Sequence, residues 1–279
     1  MAGDKADDPV AGTLVRRHRL ATRIWHWFNA VTVFVMLMSG LMIFNAHPRL
    51  YWGQYGANSD PAWLEIRGTQ RQGFLRVGNV QVETTGVLGY WRDADGRIQR
   101  RAFPGWATIP SRYSLSGARR WHLAFAWLLA AGLIAFAASS LANRHLQRDL
   151  LPGRGELGPR HLWRDIADHA RLRYPTGEKA LHYSTLQKLA YSGVIIFLLP
   201  ILILTGLTMS PGMDAAWPWL VDLFGGRQSA RSIHFIAAAL TALFILVHLV
   251  QLILSGPFNG LRSMITGRYR VPGPKEVDA

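Results

Sequence analysis

Four apolar runs, each about twenty residues long, restrict this chain more than any other feature of its sequence. They cover about Ile24 to Phe44, Trp121 to Leu141, Leu189 to Met209 and Ile233 to Leu254. As a helix, each is long enough to cross ~30 Å of hydrocarbon. A chain in lipid must satisfy its own backbone hydrogen bonds, so helices are the expected form. The expected fold class is therefore an all-α membrane protein, a bundle of four transmembrane helices. Pro200 lacks an N–H and crowds the preceding turn, so the third helix is expected to kink. Composition agrees: 49% of residues are hydrophobic, 17% are charged, and many of the 11 tryptophans flank the runs, where an aromatic belt would place them. No internal repeat is evident.

The formal net charge is +14, mostly from arginine. A nucleic-acid binder has no use for membrane-length apolar runs, so no nucleic-acid partner is expected. Basic loops facing anionic lipid account for the charge more simply. Arg16, Arg17, Arg19 and Arg23 precede the first run, and eight basic residues lie between Arg144 and Lys179. Arg262, Arg268, Arg270 and Lys275 follow the fourth run, whereas the third-to-fourth connection carries only Arg227 and Arg231. The positive-inside rule then predicts a multi-pass protein of the bacterial inner membrane with both termini cytoplasmic. The first connection is also arginine-rich, but it is long, and long loops obey the rule weakly. Met1 to Gly12 is acidic and lacks the apolar stretch of a cleaved signal, so the first run is expected to be retained.

These signals divide the chain into a cytoplasmic tail (1–22) and a membrane domain (23–279). The domain carries a periplasmic insert (45–120) and a cytoplasmic loop (142–187). In the insert, Val80 to Thr85 and Gly89 to Trp91 read as strands, and Asp95-Gly96 as a hairpin turn. A compact cap with some β-structure is expected. An amphipathic helix is expected around Leu162 to Leu172.

The candidate chemistry lies in four histidines within the runs: His26, His122, His234 and His248. Fourteen residues separate the last two, which is close to four helical turns and a rise of ~21 Å. Both rings should leave one helix face, one near each membrane surface. The expected topology puts His26 with His248 on the cytoplasmic side and His122 with His234 on the periplasmic side. Two imidazoles at one depth can fill both axial positions of a haem iron, an arrangement suited to electron transfer. A histidine in a span can instead hydrogen-bond between helices or relay protons. With no cysteine in the chain, disulfides, thiolate-held clusters and covalent haem attachment are excluded. Arg23, Arg119, Arg120 and Arg231 each lie within three residues of a candidate ligand and are candidate propionate partners. Interfacial anchoring would suit them equally well. His18, His47, His145, His161 and His169 lie outside the runs and read as solvated.

Arg23-Ile-Trp-His-Trp27, Arg119-Arg-Trp-His122 and the His234…His248 spacing resemble the four-helix cytochrome b family of the bacterial b561, nickel-hydrogenase and formate-dehydrogenase gamma type. Within it the chain looks closest to the thiosulfate-reductase-like cytochrome b subunits. Tyr183-Ser-Thr-Leu-Gln-Lys188 and Arg262-Ser-Met-Ile-Thr-Gly267 resemble the segments that open the third span and follow the fourth. The resemblance implies two non-covalent b haems and electron transfer between the quinone pool and a periplasmic partner. That partner would be a molybdopterin oxidoreductase or a c-type cytochrome, and homo-oligomers are compatible with the resemblance. It implies a quinone pocket near the cytoplasmic haem, using Tyr183, Ser184, Gln187 and His248. The formate-dehydrogenase members carry asparagine in place of Ser184 and glycine in place of Leu186, and their first connection is short. A stand-alone quinone-coupled oxidoreductase, such as a superoxide oxidase, is the alternative. A haem-free carrier fits poorly, since the runs show no half-helix pairs.

Overall fold

In a computed structural model, residues 12–144, 146–153, 155–171 and 182–271 are described. His145, Arg154, Arg173, Lys179, Lys275 and residues 1–11 of the expected tail lie outside the described residues, as does Leu172, the expected end of the loop helix. Four helices cover the four apolar runs, and the chain is a multi-pass membrane protein. They are α1 (Leu20–Phe44), α2 (Leu115–Ala142), a composite third span (Thr185–Thr208) and, as named below, α8 (Arg227–Leu254). Each begins a few residues before its apolar run, because an interfacial turn can carry polar groups without leaving the helix. Large apolar side chains such as Phe34, Ile134 and Leu246 face outward, whereas Thr32, Ser39, Thr205 and Ser232 are buried. Inward small and hydroxylated residues with outward bulk are the packing expected between helices in lipid.

The third span departs from a plain α-helix. It consists of α4 (Thr185–Ser192), a π-helical segment (Gly193–Leu198) and α5 (Leu199–Thr208). Pro200 can neither donate to the α ladder nor tolerate the carbonyl four residues earlier, and the π segment ends just before it. Short helices α6 (Pro211–Ala216) and α7 (Trp219–Leu223) lead into α8.

The chain divides into two compact units that do not follow chain order. Among the described residues, one unit holds 12–28, 133–197 and 243–271. It contains β1 (Leu14–Arg16) paired antiparallel with β8 (Arg268–Arg270), with α9 (Pro257–Thr266) leading into β8. It also contains α3 (Pro159–Ala170), which starts earlier than expected because Pro159 occupies the first turn, where no N–H is needed. Asp165 accepts the Leu186 amide at 2.9 Å, and Glu156 holds Lys188 Nζ at 2.8 Å, so the loop is fastened to the start of α4.

The other unit holds 29–132 and 198–242, and includes the insert. The insert carries more β-structure than expected. β2 (Arg49–Leu50), β3 (Leu64–Gly68), β4 (Gly73–Val77) and β5 (Val80–Glu83) form one antiparallel sheet in that order. Strands β6 (Trp91–Arg92) and β7 (Ile98–Gln99) form the expected hairpin around Asp95-Gly96. Thr84, Thr85, Gly89 and Tyr90 lie outside strands. The cross-strand register sorts the main sheet by face. Leu50, Leu64, Ile66 and Leu75 share one face and pack with Phe44 and Phe235 from α1 and α8. Arg49, Glu65 and Arg76 share the other and form an ion-paired row.

The insert also completes α8. The first N–H groups of a helix have no partner within it. Here Gly53 O accepts the amides of Gln228 and Ser229, both at 3.1 Å, and Gly53 N donates to Ser229 Oγ at 2.7 Å. Gly226, at φ 112°, permits this approach; a Cβ there would strike the Gly53 backbone. Ser232 Oγ donates to Tyr51 O (2.6 Å) and accepts Trp63 Nε1–H (2.9 Å).

Candidate functional site

The four span histidines stand as two facing pairs, one in each unit. His122 of α2 and His234 of α8 have ring centres 6.1 Å apart with planes inclined by 61°. His26 of α1 and His248 of α8 have ring centres 6.3 Å apart, inclined by 56°. A metal–imidazole bond is about 2 Å, and a ring centre lies about 1.1 Å behind its nitrogen, so two rings sharing one metal on opposite sides should stand about 6 Å apart. Both pairs meet that spacing, which fits the axial positions of a haem iron.

The 122/234 pair has a defined hydrogen-bond pattern. His122 Nδ1 is 3.2 Å from Met36 O and 3.1 Å from Ser39 Oγ. A carbonyl only accepts, so Nδ1 carries the proton and the Nε2 lone pair is left for metal. Thr205 Oγ1 donates to Ile201 O at 2.6 Å and therefore accepts at 2.9 Å from His234 Nδ1–H. The 26/248 pair is held by rings. His26 meets Trp27 edge-on at 5.2 Å; His248 stacks on Phe244 at 6.0 Å and meets Tyr191 edge-on at 6.4 Å. His26 Nδ1 is buried with no hydrogen-bond partner among the described residues. A buried ring nitrogen without a partner is a polar atom that the described residues leave unsatisfied.

The four candidate propionate arginines differ in their surroundings. Arg119 and Arg120 are exposed. Arg23 Nε donates to Met264 O at 3.4 Å. Arg231 donates to His47 O and lies over the Phe44 ring, so it helps to hold the start of the insert. The quinone candidates also separate. Ser184 and Gln187 form a reciprocal capping box that starts α4, with Gln187 N donating to Ser184 Oγ (3.3 Å) and Ser184 N to Gln187 Oε1 (3.0 Å). That S-x-x-Q signature was readable as a helix start. Tyr183 meets Tyr191 edge-on at 5.4 Å under the Arg17 guanidinium, and burial pushes its phenol above its ordinary range. Tyr191, Phe244, Ser39 and Thr205 went unnoticed in the sequence, where they read as ordinary span residues. An open, largely apolar groove along the start of α1 is lined by Leu20, Arg23, Ile24, Trp27, Phe28, Met264 and Ile265.

Several loop histidines are not the solvated residues expected. Burial and Arg17, then His26 and Arg23, push His18 down to about 4. Burial, Arg231 and Arg49 lower His47, whose Nε2 is 3.1 Å from the Tyr51 hydroxyl. His169 Nδ1–H donates to Asp165 O at 2.8 Å, whereas His161 is exposed as expected, with its Nε2 3.0 Å from Thr185 Oγ1. Loops that dock on helix ends recruit such side chains to satisfy polar groups.

Four membrane-spanning helices with paired intramembrane imidazoles define a class, the membrane b-type cytochromes. The profile of the prokaryotic cytochrome b561 family matches residues 17–267, and the chain belongs to that family. It is a membrane electron-transfer protein that carries b-type haem. It is similar to YedZ1 of Azospira oryzae, a proposed protein-methionine-sulfoxide reductase subunit, with 24% identity over 232 residues, 83% of this chain and 87% of the relative. No solved structure matches the chain.

Proposed function

We propose that the chain holds two b haems, His26 with His248 at one and His122 with His234 at the other, and conducts electrons between the quinone pool and a periplasmic oxidoreductase. The observation that carries this reading is the pair of ring separations, 6.3 and 6.1 Å, each suited to one shared iron. Each haem supplies one-electron redox chemistry when bound. The protein would contribute four imidazoles to hold the iron, apolar helix faces that exclude water, and basic side chains at the span ends. With the basic loops inside, both termini face the cytoplasm of the inner membrane, and the insert faces the periplasm.

Quinone would exchange electrons at the 26/248 end. The support is Tyr191 beside His248 and Tyr183 beside Tyr191, with the apolar groove along the start of α1 suited to an isoprenoid tail. Ser184 and Gln187 then act by starting α4. At the other end, the relative's name favours a reductase as partner, which would draw electrons outward from quinol. A sulfoxide reductase needs two electrons per turnover, and one-electron centres can deliver them singly.

The test is to purify the wild type and each histidine-to-alanine variant and to measure haem per chain and the reduced-minus-oxidised spectrum. Two haems are expected in the wild type. His122→Ala and His234→Ala should lose the same spectral component; His26→Ala and His248→Ala should lose the other. A colourless wild type after haem-replete expression, or losses that pair otherwise, would refute the assignment.

A further inference from the structure

The 122/234 site is built twice from the same short pattern. In α1, Met36-Leu-Met-Ser-Gly-Leu-Met42 runs beside His122; in α5, Leu202-Ile-Leu-Thr-Gly-Leu-Thr208 runs beside His234. In each, a buried hydroxyl residue stands opposite a ring Nδ1, at 3.1 Å for Ser39 and 2.9 Å for Thr205. In each, the carbonyl three residues earlier, Met36 or Leu202, accepts from the hydroxyl, and Met36 O also accepts from His122 Nδ1–H. In each, the next residue is a glycine facing the ring edge. A Cβ on Gly40 would lie 3.4 Å from His122 Cε1, and one on Gly206 3.6 Å from His234 Cε1. The ligand helices match as well: Ala118-Arg-Arg-Trp-His122 and Ala230-Arg-Ser-Ile-His234 each place a fully buried alanine four residues before the ring.

We infer that Ser39-Gly40 and Thr205-Gly206 are two copies of one positioning device, which seats each ligand ring and makes it a stronger electron donor to the iron between them. The inference rests on the two-haem reading above. The glycine lets the ring edge approach a helix backbone. The hydroxyl oxygen, its own proton committed to a carbonyl, accepts the Nδ1–H. An acceptor at Nδ1 raises the basicity of the ligating nitrogen, and a more basic ligand favours ferric over ferrous iron. The 26/248 pair shows no such pattern: its rings pack on Trp27, Phe244 and Tyr191, and His26 Nδ1 has no acceptor among the described residues. The device should therefore lower the midpoint potential of one haem alone.

The experiment is a spectroelectrochemical titration of the purified, haem-loaded protein: wild type, Ser39→Ala, Thr205→Val and Thr205→Ser. Thr205→Val keeps the shape and removes the hydroxyl, and in Ser39→Ala the Met36 carbonyl still accepts from His122, so haem should stay bound. The component assigned to 122/234, defined by its loss in His234→Ala, should shift positive in Ser39→Ala and in Thr205→Val. The other component should stay in place, and Thr205→Ser should restore the wild-type value. Two haems with an unmoved potential, an equal shift of both components, or a shift that serine does not reverse would each overturn the device while leaving the ligand assignment standing. A wild type without two haems would overturn both.

Discussion

Glu65 has the most exacting surroundings of any charged side chain in the insert. It is 4% exposed, with Arg76 at 2.7 Å, Arg49 at 3.2 Å and Arg67 at 3.9 Å. A buried carboxylate is tolerated only with such partners, and removing it leaves the partly buried Arg49 and Arg76 guanidinium groups without their counter-charge. Glu65→Ala should destabilise the insert by about 3–5 kcal/mol, seen as earlier proteolytic cleavage between β3 and β4. Glu65→Gln keeps a hydrogen-bonding oxygen and should cost less. Alternation along β3 already puts Glu65 opposite Leu64 and Ile66. Nothing in the sequence says that Arg49 and Arg76 stand beside it, because that depends on strand register. The four span histidines were legible one by one, since imidazoles in apolar runs are conspicuous. Ser39 and Thr205 were not, because a hydroxyl in a transmembrane helix usually bonds back to its own backbone.

At the level of elements, helix starts depend on groups brought from elsewhere. α8 uses the Gly53 carbonyl of the insert, and α4 uses its own capping box together with Asp165 and Glu156 from the loop before it. Lys188, hydrogen-bonded to Glu156, holds that carboxyl below its ordinary range, aided by the Gly153 amide. A depressed folded pKa means that the stabilisation is present above the unfolded carboxylate value and is lost as pH falls through the lowered one. Relative to the intrinsic rate at each pH, hydrogen exchange of the first turn of α4 should therefore lose protection on acidification through the carboxylate range. In Glu156→Gln it should be faster at neutral pH and lose that part of its pH dependence. The existence of the four spans follows from length and apolarity, but the π segment before Pro200 does not. Proline forbids the α ladder without saying which irregular form replaces it.

On the scale of the whole molecule, the insert joins charge to position. It carries eleven arginines against five carboxylates, and Arg67, Arg71, Arg92, Arg97, Arg100 and Arg112 are exposed. Such a surface should steer an acidic redox partner by long-range attraction. Electron delivery to that partner should slow as ionic strength rises, and charge reversal at Arg67 and Arg71 should flatten the salt dependence without changing haem content. A salt-independent rate would count against steering. The sequence by itself determined four spans, their histidines and the absence of any covalent hold on haem, because hydrocarbon thickness and residue chemistry act along the chain. Only the tertiary structure decided which hydroxyls meet which rings, and that the Gly53 carbonyl of the insert receives the first amides of α8. Contacts between helices depend on rotation and register, and an apolar run can be turned to many faces without any change in its composition.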